Sequence, residues 1–132
     1  MSKPNPTDRL YSKDHEWILD RGDGTASIGI TDYAQKMLTD IVFVELPPIG
    51  KKIAAGEALA VVESVKSVSD VYSPVSGEII GINTALEDAP ELLNRDAFGE
   101  GWIAQLKVAD AQELKTLLEA AAYDALIQEE KH

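Results

Sequence analysis

Within Glu63-Ser64-Val65-Lys66-Ser67, one lysine stands between two alternating, β-branched runs, Leu59 to Glu63 and Val68 to Tyr72. Alternation of that kind reads as the two strands of a hairpin with Lys66 held up at the tip. A solvated lysine titrates at about 10.4, so at neutral pH it is mostly protonated and a poor nucleophile. The nearby carboxylates Glu63 and Asp70 favour the ammonium, which argues against a Schiff-base or general-base role. The chemistry that remains is acylation of the amine by another enzyme. Ser64, Val65 and Ser67 are compact and uncharged and would let the tip enter an acyltransferase cleft. Glu63 and Asp70 stand one step back, available to basic groups on that enzyme. A solvated turn is the commoner fate of a lone surface lysine, and only the surrounding pattern lifts Lys66 above it.

The rest of the composition limits what else the chain can do. It has no cysteine, and His15 and His132 are its only imidazoles. Disulfide scaffolds, thiolate nucleophiles and the usual zinc sites are therefore not expected, and redox or covalent chemistry must be imported. A carrier of a dithiol cofactor would gain from that absence, having no side chain of its own to enter thiol–disulfide exchange. The formal net charge of −11, from 23 acidic and 12 basic residues, argues against nucleic acid or anionic membrane as a partner, because phosphate binding needs clustered Lys and Arg. No apolar run approaches the roughly 18 residues of a membrane span, and Met1 to Leu10 is unlike a signal or transit peptide. A cytoplasmic, bacterial-type protein is expected, or a mitochondrial one in trimmed mature form. With 132 residues, 45% of them hydrophobic and 27% charged, the expectation is one domain over 1–132.

The elements that must position Lys66 read mostly as short strands. Trp17 to Leu19 and Thr25 to Ile30 flank Asp20-Arg21-Gly22-Asp23-Gly24 as a hairpin, with Ala26, Ile28 and Ile30 on one face. Thr31 to Thr39 reads as a short helix with Thr31 as N-cap and Ala34, Met37 and Leu38 at helical spacing. Ile41 to Leu46 is a strand stopped by Pro47-Pro48. Ser73-Pro74-Val75-Ser76-Gly77 breaks the sheet before Glu78 to Asn83 resumes it, and Gly101 to Val108 supplies a late strand. Asp110 and Glu113 form a capping-box pattern, and Leu114, Leu117, Leu118, Ala121 and Ala125 fall on one stripe, predicting a helix over about 110–128 with room for a break. Strand spacing this regular favours a closed or sandwiched β architecture.

Several longer stretches follow one another in a telling order. Tyr11-Ser12-Lys13-Asp14-His15-Glu16-Trp17 is followed by Gly29-Ile30-Thr31-Asp32-Tyr33-Ala34-Gln35 and Val42-Phe43-Val44-Glu45-Leu46-Pro47. Val62-Glu63-Ser64-Val65-Lys66-Ser67, Ser73-Pro74-Val75-Ser76-Gly77-Glu78, Asn83-Thr84-Ala85-Leu86 and Gly101-Trp102 come next. This resembles the H proteins of the glycine cleavage system, which are lipoyl carriers. Ser67 departs from the alanine more usual after the lysine. The resemblance implies a lipoyl group amide-linked to Lys66 and flanked by Glu63, Val65 and Ser67. It also implies a mainly β, barrel-sandwich hybrid fold of the lipoyl/biotinyl hammerhead type, with short helices and a C-terminal helix.

The same resemblance implies partners and a cycle. The decarboxylating glycine dehydrogenase would load an aminomethyl group onto the lipoyl arm, the aminomethyltransferase would pass it to tetrahydrofolate, and dihydrolipoamide dehydrogenase would reoxidise the dithiol. Lipoyl- or octanoyl-attaching enzymes would install the arm. The chain would then be a shared substrate and catalyse nothing itself. The loaded arm can lose formaldehyde in water, so a solvent-excluding groove is implied. By resemblance that groove includes Asp14-His15-Glu16, Ile30 and Asp70, with Glu16 and Asp70 accepting from the terminal ammonium and Ile30 packing on the aliphatic chain. His15 reads as structural rather than catalytic. Alternatives are a lipoyl relay, or a paralogous lipoyl or biotinyl carrier outside glycine cleavage. Val65 and Ser67 disfavour biotin carriers, which usually have methionines there, and no linker to larger domains appears as in 2-oxoacid dehydrogenase lipoyl domains. Acidic pairs for glycoside hydrolysis exist, but nothing brings two of them to one cleft. Monomer is the expected state, because the tip must meet different partners in turn and the charge resists self-association.

Overall fold

A computed structural model describes residues 4–130, so His132 lies outside the described residues. The fold is mainly β, with two antiparallel sheets packed face to face in the barrel-sandwich manner. The larger has six strands in the order β1 (Leu10–Tyr11), β2 (Glu16–Asp20), β3 (Thr25–Ile30), β9 (Ala104–Val108), β8 (Gly77–Ile82) and β5 (Lys52–Ile53). The smaller has three, in the order β4 (Ile41–Glu45), β6 (Ala58–Ser64) and β7 (Val68–Tyr72). Short helices α1 (Asp32–Leu38), α2 (Ala85–Asp88) and α3 (Leu92–Arg95) and a longer α4 (Ala120–Glu130) complete it.

The β2–β3 hairpin forms where the sequence places it. Gly22 and Gly24 take φ values of 84° and 87°, a region open to glycine at little steric cost. The Asp20 and Asp23 side chains accept the Gly22 and Thr25 N–H groups, each at 3.0 Å. Inward residues of both sheets, among them Ile18, Ile28, Val44, Val62, Val71, Ile79 and Leu106, build the main core. Ala26, Ile28 and Ile30 share the core face as expected, and Ser27 and Gly29 between them are buried as well. A second cluster of Tyr11, Trp17, Ala120, Tyr123 and Ile127 covers the opposite face of the larger sheet. Gly29 is a point of close approach: a Cβ there would lie 2.6 Å from the Trp17 indole.

Thr31 caps α1 as expected, its Oγ1 accepting the Ala34 N–H at 3.2 Å. Ala34 is buried, whereas Met37, grouped with it by spacing, is exposed. The helix stops at Thr39, where φ turns to 66°.

The C-terminal stretch, expected to be helical over about 110–128 with room for a break, is broken: a 3₁₀ helix, Ala111–Thr116, is followed by extended chain and then α4. The break arises because Tyr11 and Leu118 exchange both backbone hydrogen bonds at 2.8 Å; the edge strand β1 takes peptide groups that a continuous helix would use internally. The capping box is also incomplete. Asp110 accepts the Gln112 N–H at 2.9 Å, but the Glu113 carboxylate turns to Ser76, accepting its N–H at 2.7 Å and its hydroxyl at 3.0 Å. Of the predicted stripe, Leu114, Leu117 and Leu118 are half-buried, while Ala121 and Ala125 are exposed. The buried positions of α4 are Ala120, Tyr123 and Ile127.

Candidate functional site

β6 and β7 pair in the register Val61↔Asp70, Val62↔Ser69 and Glu63↔Val68, so Ser64 to Ser67 make the connecting turn. Its closing bond runs from the Ser64 N–H to the Ser67 carbonyl at 2.8 Å. The Ser64 hydroxyl organises the interior of the turn. It accepts the Ser67 and Lys66 N–H groups at 3.2 and 3.4 Å and donates to the Ser67 carbonyl at 3.2 Å. Lys66 is exposed at the tip, between Val65 and Val68, each 67% exposed. Behind it, Phe43, Glu63 and Val68 form one cross-strand row on the outer face of the smaller sheet.

Beside this hairpin lies a groove of about 310 Å³ between the start of β2, helix α1 and strand β7. Ile30 and Val62 give it apolar walls, and Glu16, Asp70 and Tyr72 give it polar ones. Lys66 lies in the turn two residues before β7 begins, and Asp70 is the third residue of that strand. The structure therefore brings Glu16, Ile30 and Asp70 to one groove and gathers Glu63, Val65 and Ser67 around the lysine.

Glu16 is the unusual member. It is 2% exposed, yet both oxygens are engaged. Oε1 accepts the Ser12 hydroxyl at 2.5 Å and Oε2 accepts the Tyr72 N–H at 3.0 Å. The Ser12 oxygen itself accepts N–H bonds from Asp14 and Glu16 at 3.2 and 3.1 Å, so its proton is directed at the carboxylate. Tyr72 is on an edge strand, and its outward N–H has no ladder partner. Glu16 thus ties the larger sheet to the edge of the smaller one at the groove wall. Burial pushes its pKa up to about 7, against the lowering effect of the Ser12 and Tyr72 hydrogen bonds. Ile30 is a buried wall residue, and Asp70 stands exposed at the rim.

His15, at φ 70°, is tied into the body of the protein. Its Nδ1 lies 2.8 Å from the Tyr123 hydroxyl and its Nε2 lies 3.0 Å from Glu130 Oε1. The Tyr123 hydroxyl also meets Thr31 Oγ1 at 2.7 Å, so α4 holds the β2 entry and the α1 cap together; burial raises the Tyr123 pKa. Sequence reasoning missed Ser12, Tyr72 and Tyr123. Only Ser12 carried a local signal, a hydroxyl two residues before Asp14 in a turn-like stretch.

Comparison with known proteins shows the family and the fold. The sequence model of the family described as Glycine cleavage H-protein matches residues 9–130. The chain is 54% identical over 126 residues to the Glycine cleavage system H protein of Chromohalobacter salexigens, covering 96% of each chain. It is 50% identical over 125 residues to that of Idiomarina loihiensis, covering 95% of this chain and 97% of the relative. Among solved structures, the crystal structure of a glycine cleavage system H protein from Mycobacterium marinum matches with a TM-score of 0.84 and 40% identity. That match covers 92% of this chain and 97% of the other.

Proposed function

The chain belongs to the glycine cleavage H-protein family, and we propose that it is the lipoyl carrier of that system. In this reading it shuttles the aminomethyl group of glycine from the decarboxylating glycine dehydrogenase to the aminomethyltransferase on a lipoyl-Lys66 arm. One observation carries the reading: β7 begins beside the exposed Lys66 and continues as a wall of the groove, from Ser69 to Tyr72. An arm fixed at the tip can therefore fold back along its own strand.

In attachment, the neutral Lys66 Nζ attacks the activated carboxyl carbon of the acyl donor. The C–N bond forms, the bond to the activating group breaks, and the surplus amine proton passes to a base on the attaching enzyme. When bound, the lipoyl group supplies a disulfide that accepts the aminomethyl carbon together with two electrons. The chain's residues supply the rest. Ile30 and Val62 line the path of an aliphatic chain, and Asp70 at the rim and Glu16 in the wall offer acceptors to a terminal ammonium. Glu63, Val65 and Ser67 present the lysine to the lipoyl- or octanoyl-attaching enzymes. Dihydrolipoamide dehydrogenase is the third cycle partner. The single carrier domain acts as a monomer in the cytoplasm, a placement in keeping with its bacterial relatives. No helix of the described residues is long and apolar enough to cross a membrane.

Intact mass and peptide mapping of the protein produced with lipoate available test this. One lipoyl amide on Lys66 is expected. An unmodified lysine, or biotin in place of lipoate, would overturn it.

A further inference from the structure

We propose that Asn94, on the short helix α3, is a positioning residue for the Lys66 turn and acts through the backbone of residues 39–41. The inference rests on the carrier reading only for what the turn is for. Its physical basis is a chain of hydrogen bonds. Val65 is among the most exposed apolar residues, yet its N–H is held by the Asp40 carbonyl at 3.0 Å. The turn is therefore docked on the segment that leads into β4. What fixes that segment is one side-chain amide. Asn94 Nδ2 donates to the Thr39 carbonyl at 2.8 Å, and Asn94 Oδ1 accepts the Ile41 N–H at 2.9 Å. These bonds bracket Asp40 and orient the peptides that set the direction of its carbonyl.

The bracket is itself held. The second Nδ2 proton goes to Gln35 Oε1 at 2.8 Å, and Gln35 Nε2 donates to Asp32 Oδ1 at 2.9 Å. The next-door Leu93 is fully buried and anchors α3 in the core. Thr39 takes φ 66°, a strained region for a β-branched residue that persists only where its surroundings enforce it. The Asn94 amide, together with the Thr39 N–H bond to the Gln35 carbonyl at 3.0 Å, enforces it here. Ile41 pairs with Ser64 in the ladder, so the same segment meets the hairpin at the residue that opens the turn. Asn94 lies outside the turn and is not among the residues lining the groove. Its effect on Lys66 is transmitted wholly through the backbone.

The test compares wild type, Asn94→Ala and the near-isosteric Asn94→Asp, which keeps the acceptor for Ile41 and loses both donors. Two readouts are taken: amide hydrogen exchange in the unmodified protein, and the kinetics of lipoate attachment by a lipoate ligase with ATP. Loss of the bracket is expected to speed exchange at Val65 about tenfold while the β3 and β9 amides keep wild-type rates. Attachment kcat/KM is expected to fall about tenfold, because the nucleophile is no longer held in one orientation. Unchanged exchange at Val65, unchanged attachment kinetics, or faster exchange throughout the molecule in step with a lowered Tm would each overturn the proposal. Should Asn94→Ala fail to fold, the same criteria apply to Asn94→Asp. A wild-type chain that the ligase never acylates would remove the carrier reading instead, and the exchange data would still decide whether Asn94 holds the turn.

Discussion

Replacing Glu16 by glutamine should tilt the pH dependence of stability in a way that isolates this one carboxylate. Its pKa is raised from the ordinary 4.5 to about 7, chiefly by burial. A group whose folded pKa exceeds its unfolded value binds more protons in the folded state. Its contribution is therefore fully present below about pH 4.5 and is lost as pH rises through about 7. At about 1.4 kcal/mol per pH unit, that interval corresponds to about 3 kcal/mol. Glutamine does not titrate, so the variant lacks this slope. It keeps an acceptor for the Tyr72 N–H, but its amide faces a Ser12 oxygen that already accepts two N–H groups. One hydrogen bond is therefore weakened, at a cost of about 1 kcal/mol. The variant should be about 1 kcal/mol less stable than wild type near pH 4, nearly equal to it near pH 5 and about 2 kcal/mol more stable near pH 8. Urea denaturation of both proteins across that range measures the difference and cancels the titration of the other carboxylates. Parallel stability curves, offset by a constant, would refute the reasoning and show that Glu16 titrates alike in the folded and unfolded protein.

Other substitutions probe separate features. Lys66→Ala should abolish lipoate attachment by mass spectrometry and move the unfolding free energy by less than about 0.5 kcal/mol, because the side chain is exposed at a turn. Gly29→Ala should destabilise by about 1–3 kcal/mol in denaturant titration, since the new methyl would press on the Trp17 indole. Tyr123→Phe removes the hydroxyl shared by His15 and Thr31 and should lower stability by about 1–3 kcal/mol, read as a drop in Tm.

How much of this was legible in the sequence depends on how local each cause is. The Lys66 hairpin and the Thr31 cap rest on neighbours within a few residues, and spacing alone located them. The position of the C-terminal break did not follow from spacing, because the partner of Leu118 is Tyr11, on a strand at the other end of the chain. Glu113 carried a correct capping signature and was diverted by Ser76, which only the fold brings near. The shared face of Ala26, Ile28 and Ile30 was legible, whereas the burial of Ser27 and Gly29 on the other face of β3 was not, because a second cluster that includes residues of α4 forms only in the fold. Glu16, Ile30 and Asp70 came together through family resemblance, while the engagement of both Glu16 oxygens depends on Tyr72 being at a sheet edge. Asn94 gave no signal, since its partners, the peptides of Thr39 and Ile41 and the Gln35 side chain, are all distant in sequence.

The placement of the lysine in the turn that leads into the groove's own wall strand also changes what counts as a sufficient affinity. A tethered group meets its own groove at an effective concentration in the millimolar range, set by the length of the tether rather than by how much protein is present. A groove too weak to retain a free ligand in dilute solution would still hold such an arm for much of the time. Weak holding has its own use, because a partner's cleft then has little to overcome in drawing the arm out. Retention and release can both be fast, at any concentration of the carrier.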